Sequence, residues 1–311
     1  MYLMQRLVPK IRMMENPTPT GSARRFLRRN FRALTILFLG VMASGCRDSR
    51  FNEDPKAMDA ALKMNLQTLA TGRIFFAHQS VGENVLEGVS ELLADSGAPA
   101  LAIVDVNGTD SLPTRGYILH TKIGQNKHPD SKCADFGRIL EEKKNLIDVA
   151  ILKYCFEDVE NGQDAQTLFS EYQGMLTGLR KHFPSITIIP ATIPLTANSG
   201  FPNWQRSAWH RKARLFFGLR EGEEANIKRN QFNALLLEAN QGKPIFDIAK
   251  IESTYPDGSQ ESFRKGSETY YALIEEYTND GGHLNAMARK IAAREFIDVV
   301  ASVLQKRARI R

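Results

Sequence analysis

Short apolar runs alternate along this chain with segments whose apolar residues recur at helical spacing, and that alternation most narrows what it can fold into. Residues 73–77 read as a strand, apolar through Ile74-Phe75-Phe76-Ala77. Residues 81–93 follow with Val81, Val85, Val89, Leu92 and Leu93 on one helical face. The pattern recurs, with strands expected over 100–106, 148–154, 185–191 and 244–248 and helices over 134–144, 165–182, 225–240 and 284–304. Strands interleaved with helices predict a parallel sheet covered on both faces: a three-layer α/β/α, flavodoxin-like domain of about five strands. Residues 107–132, rich in Gly, Pro, Thr, Asn and His, read as one long loop. Residues 202–224 carry Trp204, Trp209 and Phe216-Phe217 among charges and read as an inserted helical segment near the rim, or as a packing hairpin. In open sheets of this kind ligands bind beyond the carboxyl ends of the strands, so the residues just past 77, 154 and 191 share the rim of interest.

The first 46 residues stand apart. A basic block, Arg24-Arg25, Arg28-Arg29 and Arg32, precedes an apolar run from Ala33 to Ala43 that ends in Ser44-Gly45-Cys46. A charged region, a short apolar stretch and small residues make a bacterial secretory signal, and the run is about half the ~20 residues a membrane-spanning helix needs. Ser44-Gly45-Cys46 resembles a lipobox, which implies lipidation at Cys46 and attachment to the membrane through lipid, in the bacterial cell envelope; an ordinary signal with an incidental cysteine is the alternative. The expected organisation is a lipoprotein signal over 1–46, a tether with a first short helix over 47–66, and one domain over 67–311. Residues 1–46 carry eight Lys/Arg and one Glu, so the +6 of the whole chain leaves residues 47–311 at −1. Nothing in that balance suggests a nucleic-acid partner. Cys133 and Cys155 could pair in an oxidising compartment or stay as buried thiols. No CxxC, HxH or HExxH pattern points to a metal, and no cofactor is expected.

Two short motifs carry the chemistry. In His78-Gln79-Ser80-Val81-Gly82 the serine sits at a strand-to-helix turn. In Asp280-Gly281-Gly282-His283 a carboxylate precedes a histidine by three residues, just before the last helix. Each has a structural reading: Ser80 as the cap of its helix, and Asp280 or Asn285 as the residue of an Asx turn. Together they are the components of a Ser-His-Asp nucleophilic site.

On these motifs, over about residues 70–305, the chain resembles the SGNH (GDSL-type) hydrolases. IFFAHQSVG stands where that family ends a strand in Gly-Asp-Ser, Asp280-Gly281-Gly282-His283 where it has Asp-x-x-His, and DVAILKYCFEDV where a strand leads to Gly-x-Asn-Asp. The resemblance implies Ser80 as nucleophile, His283 as base and Asp280 as its orienting carboxylate. The Ser80 N–H, Gly124 and Asn126 would form the oxyanion hole, with Gly108 a second candidate for the glycine. The substrate would be an acylated carbohydrate or other small ester, and the reaction removal of an O-acetyl or other acyl group. Two departures stand out: His78-Gln79 replaces Gly-Asp, and Glu157 occupies the place of the family's amide donor. An ionised carboxylate there would repel an oxyanion, so Glu157 is expected to point away and pair with Lys153 or Arg115. The competing readings are an inert SGNH-like binding or assembly module of the envelope and, more distantly, a metallohydrolase using Asp280, His283 and His78.

Overall fold

The computed structural model describes residues 55–108, 112–159, 164–198 and 221–310. The signal segment with Cys46, the start of the tether and residues 202–220 of the expected insertion lie outside them. One parallel sheet runs in the order β2-β3-β1-β4-β5, with β1 Arg73–His78, β2 Ala102–Asp105, β3 Tyr117–Lys122, β4 Val149–Leu152 and β5 Thr187–Pro190. The helices are α1 Pro55–Leu69, α2 Ser80–Ser96, α3 Pro129–Lys143, α4 Ala165–His182, α5 Glu221–Ala239, α6 Ile248–Ser253 and α7 Ala286–Ile310. An antiparallel hairpin, β6 Ser262–Lys265 and β7 Glu268–Tyr271, is separate from the sheet.

Successive side chains of a strand face opposite sides, and each strand here feeds two cores. Ile74 and Phe76 join the core that also holds Leu66 of α1, Val85 of α2 and Phe296 of α7. Phe75 and Ala77 join the other, with Phe136 of α3, Tyr172 of α4 and Phe232 of α5. This is the expected three-layer α/β/α arrangement. No helix among the described residues is long and apolar enough to cross a membrane.

The sheet departs from expectation in its membership. β3 lies inside the stretch expected to be loop, and it, not β2, pairs with β1; β2 is an edge strand. Only Tyr117-Ile118-Leu119 is apolar there, too short a run to outweigh the turn-forming residues around it, yet all three are buried. The strand expected over 244–248 shrinks to one bridge, Ala191 to Phe246. Pro244 lacks an N–H, and Asp247 caps α6 by accepting from Lys250 N, so Phe246 alone is left to pair. Packing also begins ahead of residue 67, because Leu62 and Leu66 of α1 are buried in the core shared with α7.

Two features fix where the site sits. At the N-terminal edge of the sheet, Asp148 receives a bidentate pair from Arg73 at 3.0 Å and is approached by Arg115 and Arg307. On one face of the sheet, α2 and α7 lie against each other with very little between them. A Cβ on Gly88 would stand 2.3 Å from the Arg289 carbonyl oxygen and 2.8 Å from Ala293 Cβ. Arg289 pairs with Glu87 and Glu91, and Lys290 with Asp95, along the same seam. The residues that open these two helices are thereby brought close.

Candidate active site

Ser80 is placed by β1. The strand is fixed on both sides at its carboxyl end, where Ile123 N donates to His78 O and Lys153 N to Ala77 O. Gln79 then turns the chain in an extended conformation (φ −131°, ψ −172°) and stands as N-cap of α2 without a side-chain capping bond. Ser80 is the first helical residue, half-buried. It is therefore not the cap that a purely structural reading would make it. Neither its Oγ nor its N–H has a hydrogen-bond partner among the described residues.

The second motif folds on itself. Asp280 Oδ1 accepts from Gly282 N at 3.0 Å and His283 N at 2.8 Å, an Asx turn made possible by Gly281 at φ +90°. Oδ2 is left for the imidazole and lies 2.5 Å from His283 Nδ1. A carboxylate can only accept, so Nδ1 carries the hydrogen and Nε2 the lone pair. Burial pushes the Asp280 carboxyl up, but the bonds from His283 and Gly282 outweigh it and hold it below the usual range. Asn285, not Asp280, caps α7, accepting from Met287 N and Ala288 N.

The two motifs meet through Asn84, whose Oδ1 accepts from Leu284 N at 3.1 Å. Asn84 and Ser80 are four residues apart on one helix and so share a face. The residue after the histidine is thus docked on the face that bears the serine. Ala197 N holds the loop from behind by donating to Gly281 O, and the Phe156 ring meets the His283 ring edge-on at 5.7 Å between centroids. Arg229 lies over Phe156 and donates to its carbonyl. Neither Asn84 nor Phe156 was legible as a site residue, since each reads as an ordinary helix or loop position.

The loop after β3 corrects one expected donor and leaves another. Gly124 N donates to Asp135 Oδ2 at 3.1 Å and so is not open to an oxyanion. Its glycine is required by a φ of +52° and by Lys132 and Ser131, which a Cβ would meet at 2.7 Å. Gly108 follows β2, two strands from β1. Asn126 differs. Its Oδ1 accepts from Lys132 Nζ at 3.0 Å, and an ammonium can only donate, which turns the amide nitrogen the other way. That Nδ2 has no partner among the described residues. Lys132 also meets Asp158 at 2.5 Å, both fully buried, and Asp158 Oδ1 accepts from Lys127 N, steadying Lys127 at φ +70° in the next position. The loop is tied to β1 as well, because Gln79 Nε2 donates to Ile123 O and Gly124 O.

Glu157 follows neither expected pairing. Arg115 is at the far edge of the sheet with Asp148. Lys153 is fully buried and donates to Tyr154 O. Burial pushes the Lys153 amine down, and it pushes the carboxyl of equally buried Glu252 up. Glu252 Oε2 in turn accepts from Leu195 N, supporting the segment behind the histidine loop. Glu157 is half-buried with no ion pair to a described residue. Cys133 and Cys155 are free thiols, Cys133 Sγ lying 2.8 Å from the Tyr154 hydroxyl. Among the described residues no three His, Cys, Asp or Glu side chains gather as a metal would need. A cleft of about 600 Å³ beside Leu195, Leu237 and Tyr271 includes none of Ser80, Asp280 and His283.

His78 is buried beneath this turn, and burial drives its imidazole down to about 3, with the bond to Gln79 O opposing and the charges of His120, Lys153 and Lys122 adding. The folded state keeps it neutral while an unfolded chain takes up the proton below about pH 6.5, so its stabilisation is complete above that pH and is lost on acidification. Between about pH 6 and pH 4 the stability of wild type relative to His78→Asn should fall by about 1.4 kcal/mol per pH unit, read by denaturant unfolding. A difference that does not move with pH would show His78 charging freely in the folded state.

No protein-family model and no curated protein matches the chain. Solved structures with a similar course include the periplasmic domain of a lipopolysaccharide acetyltransferase from Salmonella ser. Paratyphi A (11% identity, 84% of this chain and 98% of that one, TM-score 0.42). A peptidoglycan O-acetylesterase is 10% identical over 80% of this chain and 96% of that one, with TM-score 0.42. A family 3 carbohydrate esterase from Clostridium thermocellum is 14% identical over 76% and 98%, with TM-score 0.39. None reaches a TM-score of 0.5, so the fold rests here on the strand order and the two cores.

Proposed function

We propose that this chain is a serine-dependent ester hydrolase of SGNH type that removes acyl groups, O-acetyl first among them, from carbohydrate. The observation that supports it most is the pairing of an unengaged serine hydroxyl at a helix N-terminus with a His–Asp pair docked on the same helix through Asn84. His283 Nε2 takes the Ser80 proton as Oγ attacks the ester carbonyl, and Asp280 holds the Nδ1–H tautomer and stabilises the imidazolium. The tetrahedral oxygen is met by two donors, the Ser80 N–H and Asn126 Nδ2, with the positive end of α2 behind them. His283 then gives its proton to the departing sugar oxygen. Water, activated in turn by His283, releases the acid and restores the serine. The envelope location proposed from Cys46 puts the enzyme where acylated glycans occur, held by its lipid.

The test is hydrolysis of a panel of acetylated glycans and simple acyl esters by wild type and Ser80→Ala; activity in both alike contradicts the reading. Asn126→Ala should lower kcat by about a hundredfold with KM little changed, the effect of losing one oxyanion donor. Glu157→Gln should stay within about threefold of wild type, since the donor set does not include it. An Asn126→Ala protein that turns over like wild type would remove Asn126 from the donor set.

A further inference from the structure

His78-Gln79, the pair that departs from Gly-Asp in the family resembled, has a role that the catalytic residues do not exhaust. His78 Nδ1 lies 3.1 Å from Gln79 O and His78 Nε2 lies 3.2 Å from His120 Nδ1. A carbonyl oxygen can only accept, so His78 carries its hydrogen on Nδ1 and donates it to Gln79 O. Its Nε2 must then accept, which puts a hydrogen on His120 Nδ1. The donors run one way: His120 to His78 to the Gln79 carbonyl. Gly82 N gives the same oxygen a second bond at 2.7 Å. Gln79 O and the Ser80 N–H belong to one planar peptide unit, so whatever fixes and polarises the oxygen also aims and strengthens the N–H.

The surroundings are built for that ring. His78 is 1% exposed, lies on Phe76 with 5.1 Å between centroids and stacks on His120 at 5.4 Å. Gly82 makes room for it, since a Cβ there would fall 2.3 Å from His78 Cβ. The Gln79 side chain holds the same residue from its other side by bonding Ile123 O and Gly124 O. β1 pairing with β3 puts position 120 opposite 76 and 122 opposite 78, so His120 and His78 share one face of the sheet a step apart and their rings can meet.

We propose that His78 and His120 are positioning residues that fix and polarise the Gln79–Ser80 peptide so that the Ser80 N–H is presented to the oxyanion. The proposal rests on Ser80 being the nucleophile. It accounts for a histidine that no proton-transfer step uses and for the glycine two residues after the serine.

The test uses the wild-type protein and two variants at the half-buried partner, His120→Leu and His120→Asn. An asparagine amide can place an N–H near the position of the imidazole Nδ1, whereas leucine removes the donor. Three quantities are read: the His78 tautomer from ring nitrogen shifts in NMR, kcat and KM on a soluble acetyl ester, and the rate of Ser80 modification by a fluorophosphonate. Wild type should show His78 as the neutral Nδ1–H form. His120→Leu should lose kcat and labelling rate by roughly ten- to a hundredfold with KM within about twofold, and His120→Asn should recover most of both. A wild-type His78 in the Nε2–H form overturns the proposal, whatever the variants do. So does a His120→Leu protein that turns over and labels like wild type. A wild type that fluorophosphonate leaves untouched overturns the serine-hydrolase reading itself, and the proposal with it, a result distinct from either of those.

Discussion

Exchange of Ser80 for alanine is expected to lower ester hydrolysis by at least about a thousandfold, exchange of His283 for alanine by as much, and the double exchange by little more. The near-equality is the informative part. Nucleophile and base act as one unit, so once either is missing the other has nothing to do, and only the oxyanion donors and binding remain. Asp280→Asn probes the third member separately. Its Oδ1 can still accept from Gly282 N and His283 N, so the turn survives. Its amide would face Nδ1 as a donor and drive the imidazole to the Nε2–H tautomer, which cannot take the serine proton. The expected cost is about a hundredfold or more in kcat with the fold intact by circular dichroism. Steady-state kinetics on one acetyl ester for all four variants checks the set; losses in Ser80→Ala and His283→Ala that multiply in the double variant would show two independent contributions.

Gly88→Ala is expected to destabilise the domain by about 3 kcal/mol, although alanine is the better helix former. The new methyl would stand 2.3 Å from the Arg289 carbonyl, a backbone atom that cannot rotate away, and 2.8 Å from Ala293. The two helices must part; Ser80 opens α2, and His283 stands in the loop that leads into α7 and is docked on α2 through Leu284 N and Asn84. Stability and turnover should therefore fall together, the melting temperature by about 6–12 °C for a domain of this size. Gly174→Ala in α4 is the control. A Cβ there meets nothing within 4 Å, so the exchange should stabilise by about 0.5–1 kcal/mol. Thermal unfolding of both variants decides it; equal, small effects would mean that the α2–α7 seam can relax and does not set the spacing of the site.

The sequence carried the two ends of the site well and its middle poorly. Ser80 and the Asp280–His283 loop were legible because each is local: a serine between an apolar strand and a helical repeat, and a carboxylate within turn distance of a histidine. What joins them is not local. The bond from Leu284 N to Asn84 spans 200 positions, and the stacking of His120 on His78 follows only once β3 is known to pair with β1. β3 itself was hidden by the Gly, Pro and Thr around its three apolar residues. In sequence Gly124 offers a flexible backbone donor and Asn126 an amide. Only the placement of Asp135 and Lys132 on the first turns of α3 shows that the glycine N–H is engaged and the asparagine amide is turned outward. Glu157 pairs with neither Lys153 nor Arg115. The sheet carries Arg115 to its opposite edge and buries Lys153.

The central claim is that Ser80 is an activated nucleophile, and covalent trapping tests it most directly. The full chain is treated with a fluorophosphonate at neutral pH, its intact mass measured, and the modified peptide mapped. One adduct per chain, on Ser80, formed at least about a hundredfold more slowly in His283→Ala, is the predicted result. An unmodified chain, or an adduct on another residue with Ser80 untouched, would contradict it.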